Sequence, residues 1–163
     1  CIPIDPYYLT WKAREYGMHT RFIELSGEVN KGMPKYVIQK TADILNENFK
    51  PIKGSKILVL GVTYKKNIDD MRESPSLELI KLLIEKGAIV NYNDPLVIKL
   101  PKLRNYQLKM RSIKITKKVL QSYDAVLLAT DHDSYDYELI KNFSKIIVDT
   151  RGRYEPKENI IRG

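Results

Sequence analysis

The chain has 163 residues, 43% of them apolar, a single cysteine and a formal charge of +8. That length suits one domain with a substantial core plus an appendage. One cysteine excludes an internal disulfide framework, and no run of about 20 apolar residues is present to form a transmembrane helix. The basic excess fits a nucleic-acid binder, a protein with a phosphorylated ligand, or a Lys- and Ile-rich surface of the thermophilic kind. No basic block with interleaved aromatics and no nucleic-acid module is visible, so nucleic acid is not an expected partner.

The chain opens on Cys1-Ile2-Pro3 without an initiator methionine or a visible signal peptide, and reads as a piece of a longer protein. Cys1–Pro6 is irregular. Tyr7–Tyr16 has helical spacing, with Leu9 and Ala13 four apart, and Gly17 marks its stop. Phe22, Leu25, Val29, Met33, Val37 and Thr41 then recur at helical intervals, continued by Ile44 and Leu45. This predicts one long helix, or two joined near Gly32-Met33-Pro34, since Pro34 lacks a backbone donor. Such a stripe needs a partner, either a further domain or a second subunit. Lys50–Gly54 reads as a linker.

A compact α/β unit follows. Lys56–Leu60 is a short apolar run suited to a buried strand, ended by Gly61. After a long charged loop, Ser74-Pro75 has the form of a helix start, with serine as cap and proline at the first position. The predicted helix is Pro75–Lys86, burying Leu77, Ile80 and two of Leu82, Leu83 and Ile84, and Gly87 ends it. Ala88–Tyr92 is a strand stopped by Asn93-Asp94-Pro95. Leu96–Arg111 has no clear pattern. A short helix at Ile115–Ser122, a strand at Ala125–Ala129, a helix at Tyr135–Asn142 and a strand at Lys145–Val148 complete the pattern. Alternating strands and helices predict a Rossmann-like sheet of at least four parallel strands with helices on both faces.

Four polar clusters stand out. The loop after the first strand carries Tyr64, Lys65, Asp69, Asp70 and Arg72 at the end of a parallel strand, where open α/β sheets hold ligands. It lacks the GxGxxG spacing of a dinucleotide site. Lys65 and Arg72 could meet an anion, or Arg72 could brace the loop through Asp69 or Asp70. Arg151 and Arg153 follow the last strand and should emerge on the same edge, either toward a phosphorylated ligand or into solvent. Asp131-His132-Asp133 is not a metal-ligand set without a further partner, so no metal is expected; a solvated loop or a histidine hydrogen-bonded within it fits better. Cys1 could be inert, or a nucleophile with Asp5 orienting water beside it.

Cys1-Ile2-Pro3-Ile4-Asp5-Pro6-Tyr7-Tyr8-Leu9, Asn30, Met33-Pro34, Gly61–Pro75 and Asp149-Thr150-Arg151 together resemble the nucleotide-sugar 6-dehydrogenases. They are most similar to the branch acting on UDP-N-acetylglucosamine or UDP-N-acetylmannosamine. The resemblance covers essentially the whole chain. It implies an NAD-dependent oxidation of a sugar C6 alcohol to a uronate, with NAD bound mainly by an N-terminal domain absent from this sequence. It implies Cys1 and Asp5 as catalytic residues, Tyr64, Lys65 and Arg151 as UDP-sugar contacts, and Arg72 near the cofactor. The implied organisation is the end of the cysteine loop and a short helix in 1–21, a central dimerisation helix in 22–50, and a UDP-sugar-binding Rossmann-like domain in 54–163. A cytoplasmic homodimer in nucleotide-sugar metabolism, supplying polysaccharide biosynthesis, is the implied setting, with these 163 residues inactive alone. The alternatives are a non-catalytic Rossmann-like nucleotide-binding or regulatory module and, on charge alone, a nucleic-acid binder.

Overall fold

The computed structural model describes residues 4–101 and 108–163. The expectation for Cys1 lies outside the described residues. The chain divides into two compact units, Cys1–Pro34 and Lys35–Gly163. Among the described residues, no helix is long and apolar enough to cross a membrane.

The first unit holds α1 (Asp5–Glu15) and the first half of α2 (Arg21–Glu47). The α1 helix starts two residues earlier than its apolar spacing suggests, because Pro6 sits in its first turn, where a missing N–H costs nothing. Tyr7 lies directly over Gly27, leaving no room there for a side chain. A hydrogen bond from Thr20 to Thr10 and the Arg14–Glu24 ion pair tie α1 to α2 within this unit.

Of the two readings of the long apolar stripe, the single helix is correct: α2 runs through Pro34 without a break. The proline removes one ladder bond. The stripe itself changes character along α2. Phe22, Leu25, Val29 and Met33 are exposed, whereas Val37, Thr41, Ile44 and Leu45 are buried in the second unit.

That second unit is built on a five-stranded, wholly parallel sheet in the order β2-β1-β3-β4-β5. The strands are β1 (Lys56–Leu60), β2 (Ile89–Asn93), β3 (Ala125–Leu128), β4 (Ile147–Asp149) and β5 (Ile160–Arg162). Alternation sorts β1 between two cores. Ile57 and Val59 face the second half of α2 and α3 (Pro75–Glu85). Leu58 and Leu60 face α4 (Lys117–Ser122) and α5 (Tyr137–Phe143). All four are fully buried, each worth roughly 1.5–3 kcal/mol relative to exposure. Helices therefore cover both faces, as the run of strands and helices predicts.

Several boundaries differ from the sequence reading for local reasons. Thr116 and Asp136, read as helical, are N-caps whose side chains accept the Val119 and Leu139 N–H groups. Ile84 is 43% exposed while Leu83 is fully buried, so Leu82 and Leu83 form the inward pair. β2 and β4 each begin and end later than their apolar runs. The unpatterned Leu96–Arg111 stretch lies partly outside the described residues. Its described part buries Val97 and Leu100 in the core, and Lys99 pairs with Arg111.

Candidate functional site

The strand order reverses between β1 and β3. Open α/β sheets form a crevice at such a switch point, beyond the carboxyl ends of the strands. Three connections meet on this edge: Gly61–Ser74 after β1, Ala129–Asp136 after β3 and Thr150–Asn159 after β4.

The approach of the first two is close. Gly61 has φ +81, and a Cβ there would collide with Thr130 side-chain and backbone atoms. The Thr130 hydroxyl donates to the Thr63 carbonyl at 2.7 Å. Arg151 reaches the same β3 end from the other side, its Nε donating to the Ala129 carbonyl at 2.7 Å. Its terminal guanidinium nitrogens make no hydrogen bond to a described residue. Asp149 shapes the Arg151 loop: its buried carboxylate accepts the Arg151 and Tyr154 N–H groups, each at 2.8 Å.

Below this edge lies a buried polar group that the strand-end reading of Asn93-Asp94-Pro95 misses. Asp94 is fully buried. One carboxylate oxygen accepts the Leu96 and Val97 N–H groups, and the other accepts that of Val62 at 2.7 Å. His132 Nε2 stands 3.1 Å from this second oxygen and 3.1 Å from Thr63 Oγ1. His132 Nδ1 accepts the Asn67 N–H at 3.0 Å. The imidazole thus carries its proton on Nε2. A buried carboxylate two residues past the buried Tyr92 of β2 could have been suspected from the Asx-turn form of Asn93-Asp94-Pro95. Its partners, however, are distant in sequence.

An aromatic row extends outward from His132. Tyr135, Tyr137 and Tyr154 stack edge to face in succession, with centroids 5.6 to 6.1 Å apart. Their hydroxyls donate to the Asn93, His132 and Tyr137 carbonyls respectively. Burial, with smaller contributions from nearby acids, raises all three phenols; Tyr137 is pushed up to about 12. The Arg153 guanidinium lies 4.2 Å from the Tyr137 ring centroid, a stacked cation rather than a freely solvated one.

The other cations on this edge are divided. Lys66 pairs with Asp133 at 3.2 Å, and Asn67 with Lys66 holds the Asp133 carboxyl below its usual range. Arg72 forms a two-pronged fork on Asp70, whose carboxyl it lowers to about 2. The bracing alternative for Arg72 is the one found. Lys65 is exposed next to the Tyr64 ring and makes no ion pair among the described residues. Tyr64, Lys65, Arg72 and Arg151 therefore share the carboxyl edge of the second unit, while Asp5 opens α1 of the first. Among the described residues no group of three His, Cys, Asp or Glu side chains could hold a metal ion.

A family model for the UDP binding domain of the UDP-glucose/GDP-mannose dehydrogenase family matches residues 58–156. The chain belongs to this family. The UDP-N-acetyl-D-mannosamine dehydrogenase of Methanococcus maripaludis is 32% identical over 149 residues, covering 91% of this chain and 30% of its own length. The UDP-N-acetyl-D-glucosamine 6-dehydrogenase of Pseudomonas aeruginosa is 27% identical, covering 90% of this chain and 34% of its own. Among solved structures, the UDP-D-ManNAc dehydrogenase of Pyrococcus horikoshii superposes with a TM-score of 0.77 at 28% identity, over 99% of this chain and 37% of that one. The chain thus spans about a third of the length of the family members it matches. The family match runs from inside β1 to residue 156 and so includes Tyr64, Lys65, Arg72 and Arg151.

Proposed function

We propose that this chain is the C-terminal, nucleotide-binding part of an NAD-dependent UDP-N-acetylhexosamine 6-dehydrogenase, which oxidises the sugar C6 alcohol to the uronate. The support is the family membership, the names of its relatives, and one geometric observation. Arg151 is tethered by Nε to the β3 end, which leaves its terminal nitrogens available beside the switch point. A guanidinium so held suits a diphosphate. Tyr64 and Lys65 complete the UDP-sugar contacts in this reading.

NAD is the hydride acceptor, held mainly by a domain outside these residues. The β1–α3 connection of this chain does not fit a dinucleotide: its one glycine is Gly61, and the Ser74 hydroxyl already accepts the Ser76 N–H at the start of α3. Arg72 faces the cofactor at the domain boundary in this proposal, and would do so at the expense of its fork on Asp70.

Cys1 supplies the nucleophile. Its thiolate adds to the C6 aldehyde left by the first oxidation, forming a carbon–sulfur bond and a thiohemiacetal. Loss of a hydride from that carbon to a second NAD, with the hydroxyl proton going to solvent, gives a thioester. Water, assisted by Asp5, displaces the thiolate and releases the carboxylate. Residues 1–21 contribute this loop and helix, 22–50 the dimerisation helix and 54–163 the UDP-sugar domain of a cytoplasmic homodimer. These 163 residues alone are inactive. The exposed Phe22, Leu25, Val29 and Met33 support the dimer proposal, and sedimentation of Phe22→Glu as a dimer equal to wild type would reject that helix as its seam.

Calorimetry with UDP tests the site: saturable binding is expected, weakened about tenfold by Arg151→Ala, the loss of one charge-assisted pair. An absence of binding overturns the assignment. In the full-length protein, Cys1→Ala should abolish NADH formation while UDP-sugar binding persists; continued turnover would exclude Cys1 as nucleophile.

A further inference from the structure

The segment that carries Tyr64 and Lys65 is pinned at both ends by one side chain. At its start, Thr63 Oγ1 spends its own proton on the Lys65 carbonyl at 3.0 Å, so it can only accept from His132 Nε2. At its end, Asn67 donates its backbone N–H to His132 Nδ1. Asn67 has φ +61, and its side chain adds two further bonds to Asp133, donating to the carboxylate at 2.6 Å and accepting the backbone N–H at 3.1 Å. His132 is fully buried and cannot be replaced at these bonds by solvent without opening the loop.

We propose that His132 is the positioning residue for the Tyr64–Lys65 segment, holding Thr63 through Nε2 and Asn67 through Nδ1 and so fixing the two side chains for a uridine diphosphate ligand. The proposal rests on the reading above that Tyr64 and Lys65 face the nucleotide. The tautomer follows from the partners. On one side of the ring stands an amide N–H, which can only donate. On the other stand a carboxylate oxygen of Asp94 and a hydroxyl whose proton is engaged elsewhere, both acceptors. A single ring state, with the proton on Nε2, meets all of them. Asp94 supports that state from β2, and the Tyr135 ring, edge-on at 5.6 Å, closes the pocket from the α5 side.

Two substitutions separate the two contacts. His132→Asn keeps an acceptor near the Nδ1 position and so keeps the Asn67 pin. His132→Gln keeps a donor near Nε2, for Asp94, and loses the acceptor. Calorimetry with UDP on the 163-residue chain should give each variant an affinity about tenfold weaker than wild type, the scale of the one hydrogen bond each removes. Hydrogen exchange at the Lys65–Asn67 amides should quicken in the Gln variant and not in the Asn variant. Equal affinity and equal exchange in wild type and both variants overturns the role of His132 alone. Wild-type chain that binds no UDP overturns the reading of the site, and this role with it. Lys65→Ala that binds as wild type overturns the premise about that side chain while leaving the exchange result to judge the pin. Should both variants fail to fold, nitrogen NMR of the wild-type ring decides: a proton on Nε2 supports the assignment and a proton on Nδ1 overturns it.

Discussion

His132 Nε2 and the Asp94 carboxylate meet at 3.1 Å with side chains 1% and 0% exposed, which links the connection after β3 to the end of β2. Asp94 also accepts three backbone N–H groups, so it closes the ends of β1, β2 and β3 into one cluster. Asp94→Ala strands the buried Val62 and Val97 N–H donors, while His132 Nε2 keeps Thr63 Oγ1 and Leu96 lies at the surface. At roughly 1–3 kcal/mol for each left unsatisfied, with partial relaxation, the expected loss is about 3 kcal/mol or more. Urea denaturation of the chain measures it. A loss under about 1 kcal/mol would show that the neighbouring backbone finds other acceptors.

Gly61 tests the same edge through the backbone. Its φ of +81 disfavours any L side chain, and an added Cβ would run into the Thr130 carbonyl, on a residue just past β3 whose N–H is tied to the Leu60 carbonyl. Gly61→Ala should cost about 2 kcal/mol or more. Because the Thr130 hydroxyl also holds the Thr63 carbonyl, amide exchange over residues 62–67 should quicken more than exchange in α4. Unchanged stability would mean that β1 and β3 can separate at this point.

The contrast between what the residues announce and what they conceal follows from range. β1 and β3 are uninterrupted apolar runs, and burial on both faces leaves such runs readable without any partner. The Ser74-Pro75 helix start is equally local, and Ser74 does accept the Ser76 N–H. β5 is three residues long, too short for a period, and exists because β4 offers an edge. The exposed cations of the site are readable from strand ends, since Lys65 and Arg151 each follow an apolar run. Their constraints are not. His132 finds its partners 38, 65 and 69 residues away, so nothing near Asp131-His132-Asp133 distinguishes a buried pin from a solvated loop. Arg72 shows the opposite case: its partner is two residues away, and both candidate acids, Asp69 and Asp70, were visible, yet only geometry selects Asp70.

The Asp70–Arg72 fork gives a titration that can be followed directly. The hydrogen bonds from Arg72 lower the Asp70 carboxyl to about 2, from an ordinary 3.8. A depressed folded value means the interaction contributes in full above pH 3.8 and is lost as pH falls through about 2. Carbon-detected NMR of the Asp70 carboxyl should show a midpoint near 2 in the wild-type chain. Arg72→Gln should return it toward the ordinary value while leaving the fold intact, because both side chains lie at the surface. A wild-type midpoint near 3.8 would mean the fork does not persist in solution, and Arg72 would then be unoccupied before any ligand arrives.

The tyrosine row sets an alkaline limit. Of 11 tyrosines, burial first, then Asp94 or Asp131, pushes Tyr92 and Tyr137 up to about 12, and burial drives Tyr135 and Tyr154 higher still. The folded chain therefore holds these protons more tightly than the unfolded chain, where phenols ionise near 10. Their contribution to stability is complete below pH 10 and is withdrawn as the pH rises through about 12 and beyond. Absorbance titration should show the Tyr92, Tyr135, Tyr137 and Tyr154 phenols ionising only together with loss of the far-ultraviolet helical signal. Tyr135→Phe deletes one of these phenols and the hydroxyl bond to the Asn93 carbonyl, so it should shrink that absorbance step. If these phenols ionised with the helices intact, the row would be open to water, and the edge it walls would be looser than this packing requires.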